Sequence, residues 1–251
     1  MGHTEKNATT CDSVNQKKNI FLISSGINNP YGIYSIDQKL HQLMESIASV
    51  KRFHQKPVDI MVIDGSPEVL NHNQIATIQS QANWVICCGS TIKDTTDDHP
   101  GQLRIKTIGE QAIWQTFFQN LNADQEIYHR VFKLSGRYQL NDNFDLHQHQ
   151  DDCVVTLRPE QWRYSPKQPD RISMALPTRL YSFPWQGMRD MHAVWQYITE
   201  SNAANVRETH EIHMTECIFF DALQHFGIPV KPLQVIGVQG YYGQSGNFVY
   251  E

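Results

Sequence analysis

Three short apolar runs constrain this chain most: residues 19–24 (Asn-Ile-Phe-Leu-Ile-Ser), 58–63 (Val-Asp-Ile-Met-Val-Ile) and 84–88 (Trp-Val-Ile-Cys-Cys). Each has strand length, and each ends in small polar residues: Ser24-Ser25-Gly26, Asp64-Gly65-Ser66 and Gly89-Ser90. After the first run, Leu40, Leu43, Met44 and Ile47 recur at i, i+3, i+4 and i+7, the apolar face of a helix starting near Ser35. A weaker helix fits residues 73–81. This β-α-β-α-β order predicts parallel strands joined by crossover helices. Such sheets bind ligands beyond the carboxyl ends of their strands, so the three polar loops are expected to share one rim.

Residues 107–110 (Thr-Ile-Gly-Glu) have the pattern of a capping box and predict a helix start at Thr107. Ile113, Trp114, Phe117, Phe118 and Leu121 then supply its core stripe. A strand over residues 131–134 follows. It delivers Lys133-Leu134-Ser135-Gly136-Arg137-Tyr138 to the same rim. Two cations beside a residue without a side chain suit an anion that must approach the backbone closely, such as a diphosphate. The alternative is a strand end with two solvated cations. Further strands are expected at 153–157 and 178–183, with a polar, proline-bearing loop at 158–170 between them. Helices are expected at about 188–198 and 214–226, the latter stopped by Gly227-Ile228-Pro229. The 251 residues fit one α/β domain with an irregular C-terminal half, preceded by a disordered polar leader over residues 1–18.

A net charge of -5 offers no basic excess to neutralise a nucleic-acid backbone, so a general nucleic-acid binder is disfavoured. No run approaches the roughly 18 apolar residues of a membrane span. The five cysteines (Cys11, Cys87, Cys88, Cys153, Cys217) lack metal or redox-pair spacing and point to a reducing, cytoplasmic setting.

Several polar groups could carry chemistry. Glycine recurs every third residue from Gly237 to Gly246, but no helix follows, which rules out a dinucleotide fingerprint. A mobile loop there could fold its amides over a nucleotide or diphosphate; a frayed tail is the other reading. His210, His213 and Glu216 read as a metal set or a solvated helix start, with Glu216 also a candidate general base. Asn141-Asp142-Asn143 and Asp145 read as a Mg²⁺ or Mn²⁺ site or as an Asn/Asp turn. His147, His149, Asp151 and Asp152 read as a surface loop or as metal ligands. Neither a Gly-x-Ser-x-Gly elbow nor a phosphate-binding Walker loop occurs.

On residues 21–24, 42–49 and 59–66, on the Lys-Leu-Ser-Gly-Arg-Tyr stretch and on residues 216–246, the chain resembles small nucleotide-sugar glycosyltransferases of the GT-A fold. The likeness is clearest to bacterial and viral enzymes that build polysaccharide or lipopolysaccharide. The resemblance implies a single α/β, GT-A-like (Rossmann-like) domain over residues 19–251, with a mainly parallel central sheet flanked by helices. It implies transfer of a sugar from a UDP- or GDP-type donor to a hydroxyl acceptor such as a glycan. Donor binding would fall to Ser24, Ser25, Asp64, Lys133, Gly136, Arg137, Tyr138 and Ser245, and catalysis to Glu216 as base. The family usually carries an Asp-x-Asp for its metal. This chain has none, and Ser135-Gly136-Arg137 stands in its place. Two routes follow: a Mn²⁺ or Mg²⁺ ion held at Asp142, or a metal-independent site in which Lys133 and Arg137 replace the ion. A nucleotidyltransferase and a non-catalytic nucleotide-binding protein are the alternatives.

Overall fold

The computed structural model describes residues 17–30, 32–54, 57–89, 102–121, 127–165, 168–209, 214–241 and 246–251. Strand β1 (Lys18–Ser25) leads through helix α1 (Ile36–Phe53) to β2 (Val58–Asp64), and α2 (His72–Gln79) leads to β3 (Trp84–Cys87). Helix α3 (Gln102–Asn120) precedes β4 (Tyr128–Ser135), which turns into the short β5 (Tyr138–Leu140). Then come β6 (Val154–Leu157), β7 (Glu160–Ser165), β8 (Gln168–Ala175) and β9 (Leu180–Pro184). Helices α4 (Met188–Thr209) and α5 (Thr215–His225) and strands β10 (Val230–Leu233), β11 (Val238–Tyr241) and β12 (Phe248–Tyr250) complete the chain.

The main sheet has seven strands in the order β10-β6-β9-β4-β1-β2-β3. Strand β1 runs parallel to β2 and β4, β2 to β3, and β6 to β10, while β9 is antiparallel to both β4 and β6. Alternation along β1 divides the core. Ile20 and Leu22 join Trp114, Trp195 and Phe219 beneath α3, α4 and α5. Phe21 and Ile23 join Leu43, Ile47 and Phe132 beneath α1. Both faces of a parallel strand must be covered, hence its unbroken apolar run.

Helix α1 starts beside Ser35 as expected, and Ser35 caps it in a reciprocal pair with Gln38. Thr107 does not cap α3. The helix begins five residues earlier, so Thr107 lies inside it and is buried, and Glu110 reaches to Lys133 (2.7 Å). The loop expected at 158–170 is instead the β7–β8 hairpin, registered from Glu160 opposite Ala175 to Ser165 opposite Gln168. Its base packs Trp162 and Ala175 against Cys217 and Met214 at the start of α5. The described part of the glycine-rich tail is neither a mobile loop nor a frayed end. Strand β11 pairs with β5 on one side and β12 on the other. At Gly237 (φ 80°) a side-chain carbon would overlap the Phe144 backbone, and at Gly240 it would overlap the Arg137 carbonyl oxygen.

Candidate binding site at the carboxyl edge of the sheet

The carboxyl ends of β1, β2 and β4 meet in a tight frame. Gly136 donates its N–H to the Ser24 carbonyl (2.8 Å), and a Cβ at Gly136 would sit 3.0 Å from that oxygen and 3.1 Å from Leu43 Cδ1. A side chain at Gly136 would need the β4–β5 turn or β1 to give by a few tenths of an ångström. Asp64 is buried and fully engaged. Its Oδ2 accepts from Ser25 Oγ (2.6 Å) and the Ile27 N–H (2.9 Å), and its Oδ1 accepts from the Ser66 N–H (3.0 Å). Ser25 and Asp64 therefore tie the first two loops together. Ser66 Oγ extends the tie by accepting from the Asn28 N–H (2.8 Å). Tyr138 is buried too: its carbonyl accepts from Ser46 Oγ (2.7 Å), and Arg179 lies over its ring at 5.9 Å.

Lys133 and Arg137 part company. Lys133 is completely buried on the α3 face. Its Nζ lies 2.7 Å from Glu110 Oε1 and donates to Ser135 Oγ (2.9 Å) and to the Thr178 carbonyl (2.8 Å). The expectation that Lys133 holds a diphosphate is thereby corrected, since alternation along β4 turns this side chain inward, where a carboxylate meets it. Arg137, in the turn after β4, is half-buried, and its Nε has no hydrogen-bond partner among the described residues.

A second cation, which sequence reasoning passed over, accompanies Arg137. Lys39 on the first turns of α1 donates to the Asn29 carbonyl (2.5 Å). Burial holds its ammonium below the usual amine range, the Arg137 guanidinium pushes it further down, and Asp64 opposes both. Burial likewise raises the Tyr34 hydroxyl, which Arg137 lowers and the Tyr241 and Tyr138 hydroxyls raise. Arg137, Lys39, Tyr34 and Asp64 thus share one electrostatic neighbourhood on the α1 side of the rim. The only hint in the sequence is the polar 28–30 loop leading into α1, which brings a lysine one turn inside the helix back to the strand ends.

Glu216 belongs to a separate, buried cluster on the α3 side. It lies in the first turn of α5, and its Oε1 accepts from Thr178 Oγ1 (3.4 Å), the residue whose carbonyl receives Lys133. Asp142 is exposed in the turn after β5. Among the described residues no three His, Cys, Asp or Glu side chains converge as a metal set. His149 is not on a surface loop but buried, its Nδ1 2.8 Å from Ser182 Oγ. Ser90, His210, His213 and Ser245 lie outside the described residues. A cavity lined by Phe118, Met188 and His192 lies where α3 ends and α4 begins, at the opposite edge of the sheet. No helix among the described residues is long and apolar enough to cross a membrane.

No family model matches the chain, and no curated protein matches it. Among solved structures, the galactosyltransferase LgtC in complex with donor and acceptor sugar analogues is similar, with a TM-score of 0.50 at 12% identity, over 82% of this chain and 70% of that one. The α/β architecture expected from the strand and helix order is the architecture found, a GT-A-like, Rossmann-like fold with a mostly parallel sheet flanked by helices.

Proposed function

We propose that this chain is a glycosyltransferase that moves a sugar from a nucleoside-diphosphate donor to a hydroxyl acceptor. The observation that carries the reading is Arg137, set by the Gly136 turn at the carboxyl edge where open parallel sheets bind their ligands, with its buried Nε unpartnered among the described residues and Lys39 in the same electrostatic neighbourhood. Two neighbouring cations repel each other, and a diphosphate between them turns that repulsion into attraction. In this reading Arg137, Lys39 and the Gly136 turn bind the diphosphate and stabilise the charge that develops on it as the sugar departs. The loops organised by Ser24, Ser25 and Asp64 shape the donor end, and Tyr138 backs the site. Ser245 is proposed to contribute from the tail. The likeness in fold to a galactosyltransferase supports the donor and acceptor classes.

Glu216 is proposed as the base that takes the acceptor proton, which makes the transfer inverting: the acceptor oxygen bonds to the anomeric carbon, the bond to the diphosphate oxygen breaks, and the proton passes to the carboxylate; its burial on the α3 side, apart from Arg137 and Lys39, favours a retaining route without it as the second reading. Thr178 Oγ1 holds one oxygen of that carboxylate in place. The test is turnover of a UDP- and GDP-sugar panel with oligosaccharide acceptors, with and without Mn²⁺. Release of nucleoside diphosphate that falls at least tenfold in Arg137→Ala is expected. Pyrophosphate release from a nucleoside triphosphate would show a nucleotidyltransferase instead. Donor binding without turnover would show a non-catalytic protein.

A further inference from the structure

Beside the cation pair lies an aromatic surface that the donor reading does not use. Strand β11 pairs with β5 so that Gly240 stands opposite Tyr138, with the Arg137 carbonyl oxygen directly beside Gly240 and Tyr241 the next residue along β11. The missing side chain at Gly240 permits that approach. Across the hairpin Tyr241 pairs with Phe248, their ring centroids 5.0 Å apart at an interplanar angle of 63°. Tyr241 is 45% exposed and Phe248 55%. Gly246 closes the other side, within reach of Ile33 and the Tyr34 hydroxyl. The Tyr241–Phe248 pair thus sits on the strand that passes the Arg137 backbone, with Tyr34 on the Gly246 side and within the electrostatic reach of Tyr241 and Arg137.

Large aromatic side chains left half in water beside a charged site are costly without an occupant. An edge-to-face pair presents one open face and one rim, a shelf and not a slot. A nucleobase needs in-plane hydrogen-bond partners; among the described residues the three rings offer only phenol hydroxyls, and the nearby Gln239 amide is turned to Gln139 (3.5 Å), whereas the loops of Asn28 and Ser66 present an amide and a hydroxyl. A pyranose ring has an apolar C–H face that packs on an aromatic face, with hydroxyls at its edge for the phenols. We propose that Tyr34, Tyr241 and Phe248 are the acceptor platform, which stacks the sugar ring of an oligosaccharide beside the diphosphate site. This rests on the donor reading for the role of the bound sugar, not for its binding.

The experiment is binding of the full chain to a panel of immobilised oligosaccharides, with UDP and GDP binding measured in parallel. The wild type is expected to bind at least one oligosaccharide. Tyr241→Ala/Phe248→Ala should lose about tenfold or more of that affinity and leave UDP and GDP binding unchanged. The ring-preserving Tyr241→Phe/Phe248→Tyr pair should retain it, which separates ring loss from misfolding. Should the double alanine chain fail to fold, Phe248→Asn alone gives the same reading at an exposed position. The proposal is overturned if the wild type binds no oligosaccharide, if these variants lose nucleotide affinity instead, if oligosaccharide binding is unaltered, or if they only convert a dimer to a monomer. Absence of UDP and GDP binding with oligosaccharide binding intact would sink the donor reading alone.

Discussion

Lys133 and Arg137 sit on one short motif and serve opposite ends. Inside β4, a side chain goes where strand alternation sends it, and Lys133 goes to Glu110 with no solvent exposure. Arg137 has left the strand and lies in the turn, so it stays at the rim. Removing one member of a buried pair strands the other charge, and Lys133→Met should cost about 3 kcal/mol or more in urea unfolding. Lys133→Met/Glu110→Gln should recover most of it, because no buried charge is left unpaired. A solvated Lys133 would instead tolerate the single change. Gly136→Ala should cost roughly 1–3 kcal/mol, since the new carbon presses on the Ser24 carbonyl oxygen at 3.0 Å and on Leu43 Cδ1 at 3.1 Å. At this scale the sequence reveals that the motif is unusual, but not which cation is presented. That depends on a carboxylate brought in from another element, and Lys39 is brought in the same way.

Among elements, α1 does more than cover the sheet. Its buried Ser46 and Ser49 bond to β5, through the Tyr138 carbonyl (2.7 Å) and the Leu140 N–H (2.9 Å). Those bonds fix the turn that carries Arg137, and β11 then builds on β5. Replacing Gly240 by valine should force the two strands apart at the Arg137 carbonyl. The expected loss is roughly 1–3 kcal/mol, read as a lower urea midpoint with an unchanged slope. The strands and helices of the first half are legible because their burial is one- or two-sided and periodic. The β7–β8 hairpin is not, since its pairing partner and its cover at Cys217 are supplied by tertiary contact while Pro169 argues for a loop. The tail misleads for a related reason. Its glycines answer close approaches to Phe144 and Arg137, which no local pattern records.

At the scale of the whole molecule, a buried polar knot ties β4, β9 and the segment before β6. Arg130 donates to Ser182 Oγ, the Asp151 carbonyl and the Cys153 carbonyl, each at 2.7 Å. His149 shares Ser182. Burial, with Arg130 and Lys231 nearby, pushes its ring down to about 3. The folded chain thus keeps His149 neutral, whereas in the unfolded chain it takes up a proton near its ordinary value of 6.5. Stability is fully present above pH 6.5 and falls as the pH drops from 6.5 towards 3, by roughly 2 kcal/mol between 6.5 and 5. His149→Gln should flatten that slope in unfolding curves taken at pH 7 and pH 5. The same molecule gathers cations at one end of its sheet, and the proposed function depends on what they hold. Calorimetric titration of UDP and GDP into the wild type and Arg137→Ala addresses that most directly. One nucleotide is expected to bind the wild type and to weaken roughly 10–100-fold in the variant, as loss of charge-assisted hydrogen bonds implies, with an unchanged melting temperature. Equal affinity in the two proteins, or binding of neither nucleotide to the wild type, would contradict a diphosphate site at Arg137.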